Sequence, residues 1–210
     1  MKQTRKRLFI DAEISPSERA KTIYLAVENG CNTLVFSFND KFFSGGMKRY
    51  KKLINTYALN IEAGGRDLPL LLPKKLFLSN RELFRMEQGV RKKDHHFCPT
   101  NPQTTQIISE NAHKWFERIL EKTTSPRILH IYPEEHHENT WCACPACRAF
   151  SPAEQYLIAA NTVADTLVKF DLDARLYYLD FDNEPDAEGI SPRKNMIACT
   201  DINTPGFFPL

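Results

Sequence analysis

Short apolar segments alternate with helix-start signals along most of this chain. Enrichment in β-branched and aromatic residues predicts five strands, at residues 8–12, 33–38, 59–63, 127–132 and 175–181. Two capping boxes with proline at the first helical position, Ser15-Pro16-Ser17-Glu18 and Ser151-Pro152-Ala153-Glu154, predict helix starts between strands. Strands and helices in alternation predict a parallel sheet with crossover helices.

The predicted fold class is therefore α/β, a (β/α) barrel-like fold that is either a complete or a truncated TIM barrel. Polar residues follow several of the predicted strands, and in such a barrel these positions meet at one rim, where active sites are built. The strands found fall short of the eight in a full barrel, so an incomplete barrel is expected to form a homo-oligomer. We interpret residues 1–210 as a single domain with an irregular tail at 186–210.

Charge and hydropathy exclude several classes of partner. The net charge is only +2, so nothing in the composition demands a nucleic acid. No apolar run approaches the length of a membrane span, and the Leu8-Phe9-Ile10 run is too short for a signal peptide. The sequence thus predicts a cytoplasmic protein without a nucleic-acid or membrane partner. No G-x-G-x-x-G or P-loop motif follows a predicted strand, so the sequence contains none of the usual motifs of a nucleotide-binding fold.

Four cysteines stand out because they lie in two loop-like segments. Cys142, Cys144 and Cys147 form a C-x-C-x-x-C motif, and Cys98 precedes Pro99. Together they supply the four sulfurs that a closed structural Zn²⁺ site prefers, and Zn²⁺ is the cofactor that the sequence predicts. Packed reduced thiols, disulfides and a redox-active pair of Cys144 and Cys147 remain as alternatives.

The chain also resembles a known family, through motifs that occur in order between residues 8 and 182. These motifs are Glu62-Ala63-Gly64-Gly65, Leu72-Pro73, Gly89-Val90-Arg91, the segment 97–102, Pro133-Glu134-Glu135, the tryptophan–cysteine motif 141–147, and Asn161. The family is an uncharacterised bacterial one associated with polysaccharide-active proteins and similar to α-glucuronidase and hexosaminidase barrels. The resemblance implies a glycoside-hydrolase-like barrel and a carbohydrate as the partner.

Glycoside hydrolysis needs two carboxyl groups, about 5–5.5 Å apart for retention and about 6.5–9.5 Å apart for inversion. Glu134 and Glu135 follow one predicted strand, and Glu184 follows the next. Neighbouring strands lie roughly 4.8 Å apart, so carboxylates at their ends can come within that range. We therefore predict Glu134, Glu135 and Glu184 as catalytic residues. The alternative is that they are ordinary solvated acids of surface loops.

Four further residues are candidates for substrate binding. Glu62 and Arg66 belong to the polar residues near the end of a predicted strand. The resemblance to glucuronidase barrels implies a clamp for a sugar carboxylate, for which Arg66 and Arg91 are the candidates. Trp141 is either a stacking platform for a sugar ring or a hydrophobic lid on the cysteines. Surface arginines are commoner than clamps, so an ordinary surface role stays open for both.

The sequence as a whole predicts a glycoside-hydrolase-like protein that acts on a carbohydrate by carboxylate acid/base chemistry. A non-catalytic carbohydrate-binding or scaffold domain, with a structural zinc and cysteine cluster, is the alternative. A thiol oxidoreductase is the third hypothesis. In the first two cases the cysteines brace the loop that carries Glu134, Glu135 and Trp141.

Overall fold

The computed structural model describes residues 5–10, 14–94, 96–133, 141–180 and 189–199, together with the backbone of 207–208. Seven strands form one sheet in which every neighbouring pair is parallel, in the order β8-β7-β6-β3-β2-β1-β9. The strands are β1 (Arg7–Ile10), β2 (Thr33–Phe36), β3 (Asn60–Gly65), β6 (Ile128–Ile131), β7 (Arg175–Leu179), β8 (Met196–Cys199) and β9 (Phe207–Phe208). A separate antiparallel hairpin pairs β4 (Met86–Glu87) with β5 (Val90–Arg91).

Four α-helices connect these strands: α1 (Pro16–Glu28), α2 (Met47–Thr56), α3 (Pro102–Ile119) and α4 (Pro152–Leu167). Both predicted capping boxes are formed, with Ser15 and Ser151 as the N-cap residues. Short 3₁₀ helices occur at Lys41–Ser44, Leu68–Leu71, Lys74–Leu78, Arg81–Leu83, Leu120–Lys122 and Cys147–Ala149. Within the described residues, no helix combines the length and the apolar character needed to cross a membrane.

The helices cover one face of the sheet, and the main hydrophobic core lies between the helices and that face. Alternate strand positions, such as Leu8, Leu34 and Leu129, belong to this core together with Ile108 and Phe116 of α3. Each of these side chains is at most 2% exposed. Because side chains alternate across a strand, the positions between them must face the other side of the sheet.

That other face is concave. Arg7 on β1 lies with its guanidinium carbon 4.8 Å from the ring centroid of Tyr177 on β7. Four strand-to-strand steps separate β1 from β7, which in a flat sheet would place them about 19 Å apart. An arginine side chain cannot cover that distance, so the sheet must curl. The parallel strands thus form a barrel-like wall with helices outside and side chains inside.

The parallel α/β class and the five predicted strands are confirmed, as β1, β2, β3, β6 and β7. A closed barrel is not seen in the described part of the chain, where no backbone pairing joins β8 to β9. The tail that was expected to be irregular contains β8, which pairs with β7 from Leu176 and Met196 to Leu179 and Cys199. A neighbouring strand in the fold, rather than a local pattern, gives this segment its structure.

Candidate functional site

The four cysteines of the two loops converge on one buried point. Cys98 lies between the β4–β5 hairpin and α3, whereas Cys142, Cys144 and Cys147 lie between β6 and α4. All four side chains are buried, and their Sγ atoms lie within 4.8 Å of one another. The sequence prediction that these residues form a cluster is confirmed.

The spacing of the sulfurs fits a tetrahedral metal ion. Cys98 Sγ lies 3.7 Å from Cys144 Sγ and 3.6 Å from Cys147 Sγ. A tetrahedron with metal–sulfur bonds of about 2.3 Å has sulfur–sulfur edges of about 3.8 Å. Disulfide bonds require sulfurs about 2 Å apart, and all four cysteines are free thiols. The cluster can therefore hold a metal ion with a closed set of four ligands.

The pKa shifts of Cys98 and Cys147 are consistent with a site that binds a cation. Hydrogen bonds from the thiols of Cys142 and Cys147 lower the pKa of Cys98, and Arg91 adds to this effect. Hydrogen bonds with Cys142 and Cys98 raise the pKa of Cys147. The cluster alone thus favours the thiolate form of Cys98 and the protonated form of Cys147. A bound metal ion supplies the positive charge that lets the remaining thiols ionise.

Gln155 of α4 fixes the loop that carries three of the thiols. Its Oε1 accepts a 3.0 Å hydrogen bond from the backbone N–H of Cys142. Its Nε2 lies within hydrogen-bond distance of the carbonyl oxygens of Cys142, Cys147 and Phe150, at 3.2, 3.2 and 3.3 Å. Gln155 is only 4% exposed, so one buried side chain organises the loop from within.

Polar groups of the hairpin and of the segment before α3 form hydrogen bonds with the sulfurs. The backbone N–H of Met86 donates to Cys142 Sγ at 3.3 Å, and Thr100 Oγ1 lies 3.1 Å from Cys147 Sγ. Ala143 N–H in turn donates to the carbonyl oxygen of Met86 at 2.7 Å. These contacts join the loop after β6 to the long segment between β3 and α3, which contains the hairpin. Donors of this kind orient thiolate ligands and reduce their charge.

Arg91, predicted to bind substrate, lies beside this cluster. Its Nη1 donates to the carbonyl oxygen of Phe84 at 2.7 Å and lies 3.8 Å from Cys142 Sγ. Its Nη2 pairs with the carboxylate of Glu82. The guanidinium therefore contacts the segment before the hairpin and one sulfur of the cluster, where its charge offsets that of a thiolate.

Trp141 and Arg66 are two further candidates for substrate binding. Trp141 directly precedes the cysteine motif and is partly buried against the main core, with its ring centroid 6.5 Å from that of His96. It packs on the main core rather than on the cluster of cysteines, which has Met86 as its partly buried neighbour. Arg66 is exposed directly after the last residue of β3.

Glu62 lies inside the curved sheet rather than on its rim. It is completely buried, and its carboxylate accepts 2.7 Å hydrogen bonds from Arg5 Nη1 and Arg7 Nε. His130 Nε2 lies 2.6 Å from the same carboxylate, and His130 Nδ1 lies 2.9 Å from the hydroxyl of Tyr132. Glu62 thus joins β1 to β6 through the interior of the sheet.

The environment of Glu62 keeps it ionised. Burial alone would raise the pKa of Glu62, but hydrogen bonds from His130 and Arg7 outweigh it and lower the pKa to about 2. Burial lowers the pKa of His130, which favours the neutral ring. An ionised carboxylate accepts only, so Nε2 of the neutral ring carries the proton and Nδ1 accepts from Tyr132. The group is a buried ion pair with its hydrogen bonds satisfied.

A second buried carboxylate, Asp67, was not singled out by the sequence analysis. It follows β3 and accepts hydrogen bonds from Ser37 Oγ at 2.6 Å and from the backbone N–H of Phe38 at 2.8 Å. Burial raises the pKa of Asp67 to about 6. This carboxylate ties the chain after β2 to the chain after β3 at the carboxyl end of the sheet. The sequence signal for it was its place in the short polar segment that follows the predicted strand 59–63.

The predicted catalytic residues Glu134, Glu135 and Glu184 lie outside the described residues. The strands that lead to them are described. β6 and β7 are neighbours in parallel register, with Ile131 opposite Tyr178. The segments that contain these acids therefore leave the sheet from adjacent strands, at the same edge.

No protein-family model matches the chain, and no curated protein matches it by sequence. Among solved structures, one similar fold is that of the GH20 catalytic modules of the pneumococcal exo-β-D-N-acetylglucosaminidase StrH. The TM-score is 0.58 at 11% sequence identity, and the match covers 91% of this chain but only 57% of that one. A second is the GH36 α-galactosidase AgaA of Geobacillus stearothermophilus, with a TM-score of 0.49 and 9% identity over 84% of this chain and 28% of that one. At this identity the first match shows a shared fold, the barrel-like α/β architecture of a glycoside hydrolase module.

Proposed function

We propose that this chain is a carbohydrate-active domain of the glycoside-hydrolase type that works by carboxylate acid/base chemistry. The observation that carries the proposal is the barrel-like parallel sheet, which is similar in fold to a module that acts on N-acetylglucosaminides. Fold alone does not define a reaction, so the proposal also needs suitable residues at the site. In parallel β/α folds, catalytic groups come from the carboxyl ends of the strands.

Glu134, Glu135 and Glu184 are the proposed catalytic residues. The parallel register of β6 and β7 supports this choice, because Glu134 and Glu135 follow β6 closely and Glu184 follows β7. Adjacent strands are about 4.8 Å apart, which suits a pair of cooperating carboxyl groups. One group would protonate the glycosidic oxygen, and the other would act as nucleophile or as base toward water.

The proposal gives the four cysteines a structural role, with Zn²⁺ as the metal ion. Four buried sulfurs at tetrahedral spacing favour Zn²⁺, which in structural sites takes four thiolates and leaves no position open for substrate. The ion would fasten the loop after β6 to the long segment between β3 and α3. In sequence, the cysteines of that loop closely follow Glu134 and Glu135. A redox pair needs two thiols, so the convergence of four supports metal binding over thiol oxidoreduction.

The catalytic part is tested with a panel of chromogenic aryl glycosides, including N-acetylglucosaminides and glucuronides. A hydrolase releases the aryl group from at least one of them, and Glu134→Gln or Glu135→Gln removes that activity while the far-ultraviolet circular dichroism stays native. Glu121→Gln, at an exposed position after α3, is the matched control and should keep full activity. Binding of glycan without hydrolysis, undiminished in both variants, would support the non-catalytic carbohydrate-binding domain instead.

The metal part is tested by elemental analysis of the purified protein. We expect about one zinc per chain, as four cysteines form one closed site. Cys144→Ser should lose the metal, whereas Cys31→Ser should keep it because Cys31 is buried elsewhere, next to β2. A metal-free wild-type protein would exclude the zinc site and leave the hydrolase proposal to the glycoside assay.

A further inference from the structure

A cavity of about 830 Å³ lies between the starts of α1 and α2. It borders the segments after β1 and β2, on the side of the sheet where the strands end. The predicted substrate-binding and metal-binding residues, all of which the structure describes, do not line it. Its volume is in the range of pockets that hold small molecules.

The lining of this cavity is strongly basic. Arg19, Lys41, Lys48 and Arg49 contribute four cationic side chains, and Asp40 contributes one carboxylate. Arg19 is buried, and its Nη1 lies 3.1 Å from Asp40 Oδ1, so that pair is largely neutral. Lys41, Lys48 and Arg49 are exposed and form no ion pair with an acidic residue in the described part of the chain. A concave surface with uncompensated positive charge attracts anions.

The backbone adds to the positive potential. α2 begins at Met47 directly after Gly46, and no side chain caps this helix. The N–H of Arg49 already donates to the carbonyl oxygen of Gly46 at 3.1 Å. The helix dipole is positive at this end, which favours a bound anion. Gly45 and Gly46 line the cavity, so a ligand can approach the backbone here without a side chain in between.

Asp40 provides a second and independent indication of a ligand. Its Oδ1 is occupied by Arg19 and by a 2.7 Å hydrogen bond from the N–H of Phe42. Its Oδ2 is buried and has no hydrogen-bond partner among the residues that the structure describes. A buried carboxylate oxygen without a donor is costly, and a hydroxyl group in the cavity could supply one.

We propose that this cavity binds a small hydroxylated anion, such as a sugar that carries a carboxylate, sulfate or phosphate group. Lys41, Lys48, Arg49 and the start of α2 receive the anionic group, and Asp40 accepts a hydrogen bond from a hydroxyl. The inference does not depend on hydrolysis or on zinc, because it uses none of the residues proposed for either.

The test is binding of D-glucuronate, inorganic phosphate and neutral D-glucose, measured by calorimetry on the full chain at low ionic strength. We expect the anions to bind and glucose to bind at least about tenfold more weakly, since charge-assisted hydrogen bonds supply the affinity. The double variant Lys48→Ala/Arg49→Ala should weaken anion binding about tenfold. Lys51→Ala/Lys52→Ala is the matched control, because it removes the same charge from exposed positions of α2 outside the cavity and should change little.

Tighter binding of glucuronate than of phosphate would identify a sugar acid as the ligand, and the reverse order would identify a phosphate. Either order supports an anion site. The inference is overturned if neither anion binds the wild-type protein, or if glucose binds as tightly as the anions. Equal losses in the two double variants would also overturn it, because they would indicate general attraction to a basic helix rather than binding in the cavity.

Discussion

The hydroxyl of Tyr156 on α4 donates a 2.6 Å hydrogen bond to the carbonyl oxygen of Ile131, the last residue of β6. The same hydroxyl accepts a 3.0 Å hydrogen bond from the N–H of Leu179 at the end of β7. The two strands that lead to the proposed catalytic residues are therefore joined at their ends by one buried side chain. This contact fixes the carboxyl ends of β6 and β7 relative to each other.

Tyr156→Phe should destabilise the protein by about 1–3 kcal/mol, because the buried carbonyl of Ile131 and the partly buried N–H of Leu179 lose this partner. Urea denaturation measures the change in the free energy of unfolding. Tyr178→Phe is the control: its ring is also buried, and its hydroxyl makes no hydrogen bond within the described residues. Equal losses in the two variants would show that the bridge between β6 and β7 contributes nothing.

Gly64→Ala should destabilise the protein far more than Gly45→Ala. Both glycines have positive φ angles, +114° at Gly64 and +119° at Gly45, so both substitutions strain the backbone. A Cβ at Gly64 would lie 1.9 Å from the carbonyl oxygen of His130, whereas a Cβ at Gly45 would meet no atom within 4 Å. β3 and β6 would have to move apart, which we expect to cost about 3 kcal/mol or more beyond the strain. Thermal unfolding of the pair of variants would detect this, and similar midpoints would contradict the close approach.

Glu62→Gln should cost about 3–5 kcal/mol, because it leaves the buried Arg7 without its counter-ion. Glu87→Gln is the control for loss of an acidic charge. Glu87 is partly exposed and pairs with Lys92 at 3.3 Å, and such pairs contribute at most about 1 kcal/mol. A small loss in Glu62→Gln, comparable with that in Glu87→Gln, would exclude the buried pair as a major source of stability.

The low pKa of Glu62 predicts how the free energy of unfolding depends on pH. The pKa of Glu62 is about 2 in the folded protein, against an ordinary value of 4.5, so the unfolded chain takes up the proton first as the pH falls. Its contribution is complete above about pH 5 and is lost progressively toward pH 2, by about 3 kcal/mol in all. Urea midpoints at pH 7, 5, 4 and 3 should therefore converge between the wild type and Glu62→Gln. A constant difference across this range would contradict the low pKa.

Gln155→Met should weaken metal binding about tenfold or more, since partners outside the ligand set contribute to affinity on that scale. Methionine keeps the volume of the side chain but satisfies neither the N–H of Cys142 nor the carbonyls that Gln155 holds. Competition with a chelator measures the affinity. Gln103→Met, at an exposed position in the first turn of α3, is the control. Unchanged chelator resistance in Gln155→Met would mean that the thiols organise their loop without it.

Local sequence patterns predicted the central part of the fold. The capping boxes at Ser15 and Ser151 act over a few residues of the chain, and both are formed as expected. The β-branched and aromatic segments became β1, β2, β3, β6 and β7 for the same reason. β8 was missed because its short segment of mixed character is stabilised by its pairing with β7, which no local pattern reports.

The roles of individual polar residues were harder to predict. Glu62 and Arg66 are four positions apart in sequence, and both were assigned to the rim. The alternation of side chains and the curl of the sheet put Glu62 inside, against Arg7 and His130, and left Arg66 exposed after β3. That Arg91 binds substrate stays a prediction, and the fold places Glu82 and Cys142 beside its guanidinium.

The sequence by itself determined the alternation of strands and helices, the helix starts, and the presence of four thiols in two loops. These depend on backbone preferences and hydrogen bonds between residues close in the chain. Only the tertiary structure decided that Cys98 meets Cys144, 46 residues away, and that Glu62 is buried with two arginines. The reason is that sheet curvature and the contact of the hairpin with the loop after β6 depend on burial of side chains from the whole chain, which brings distant residues to one place.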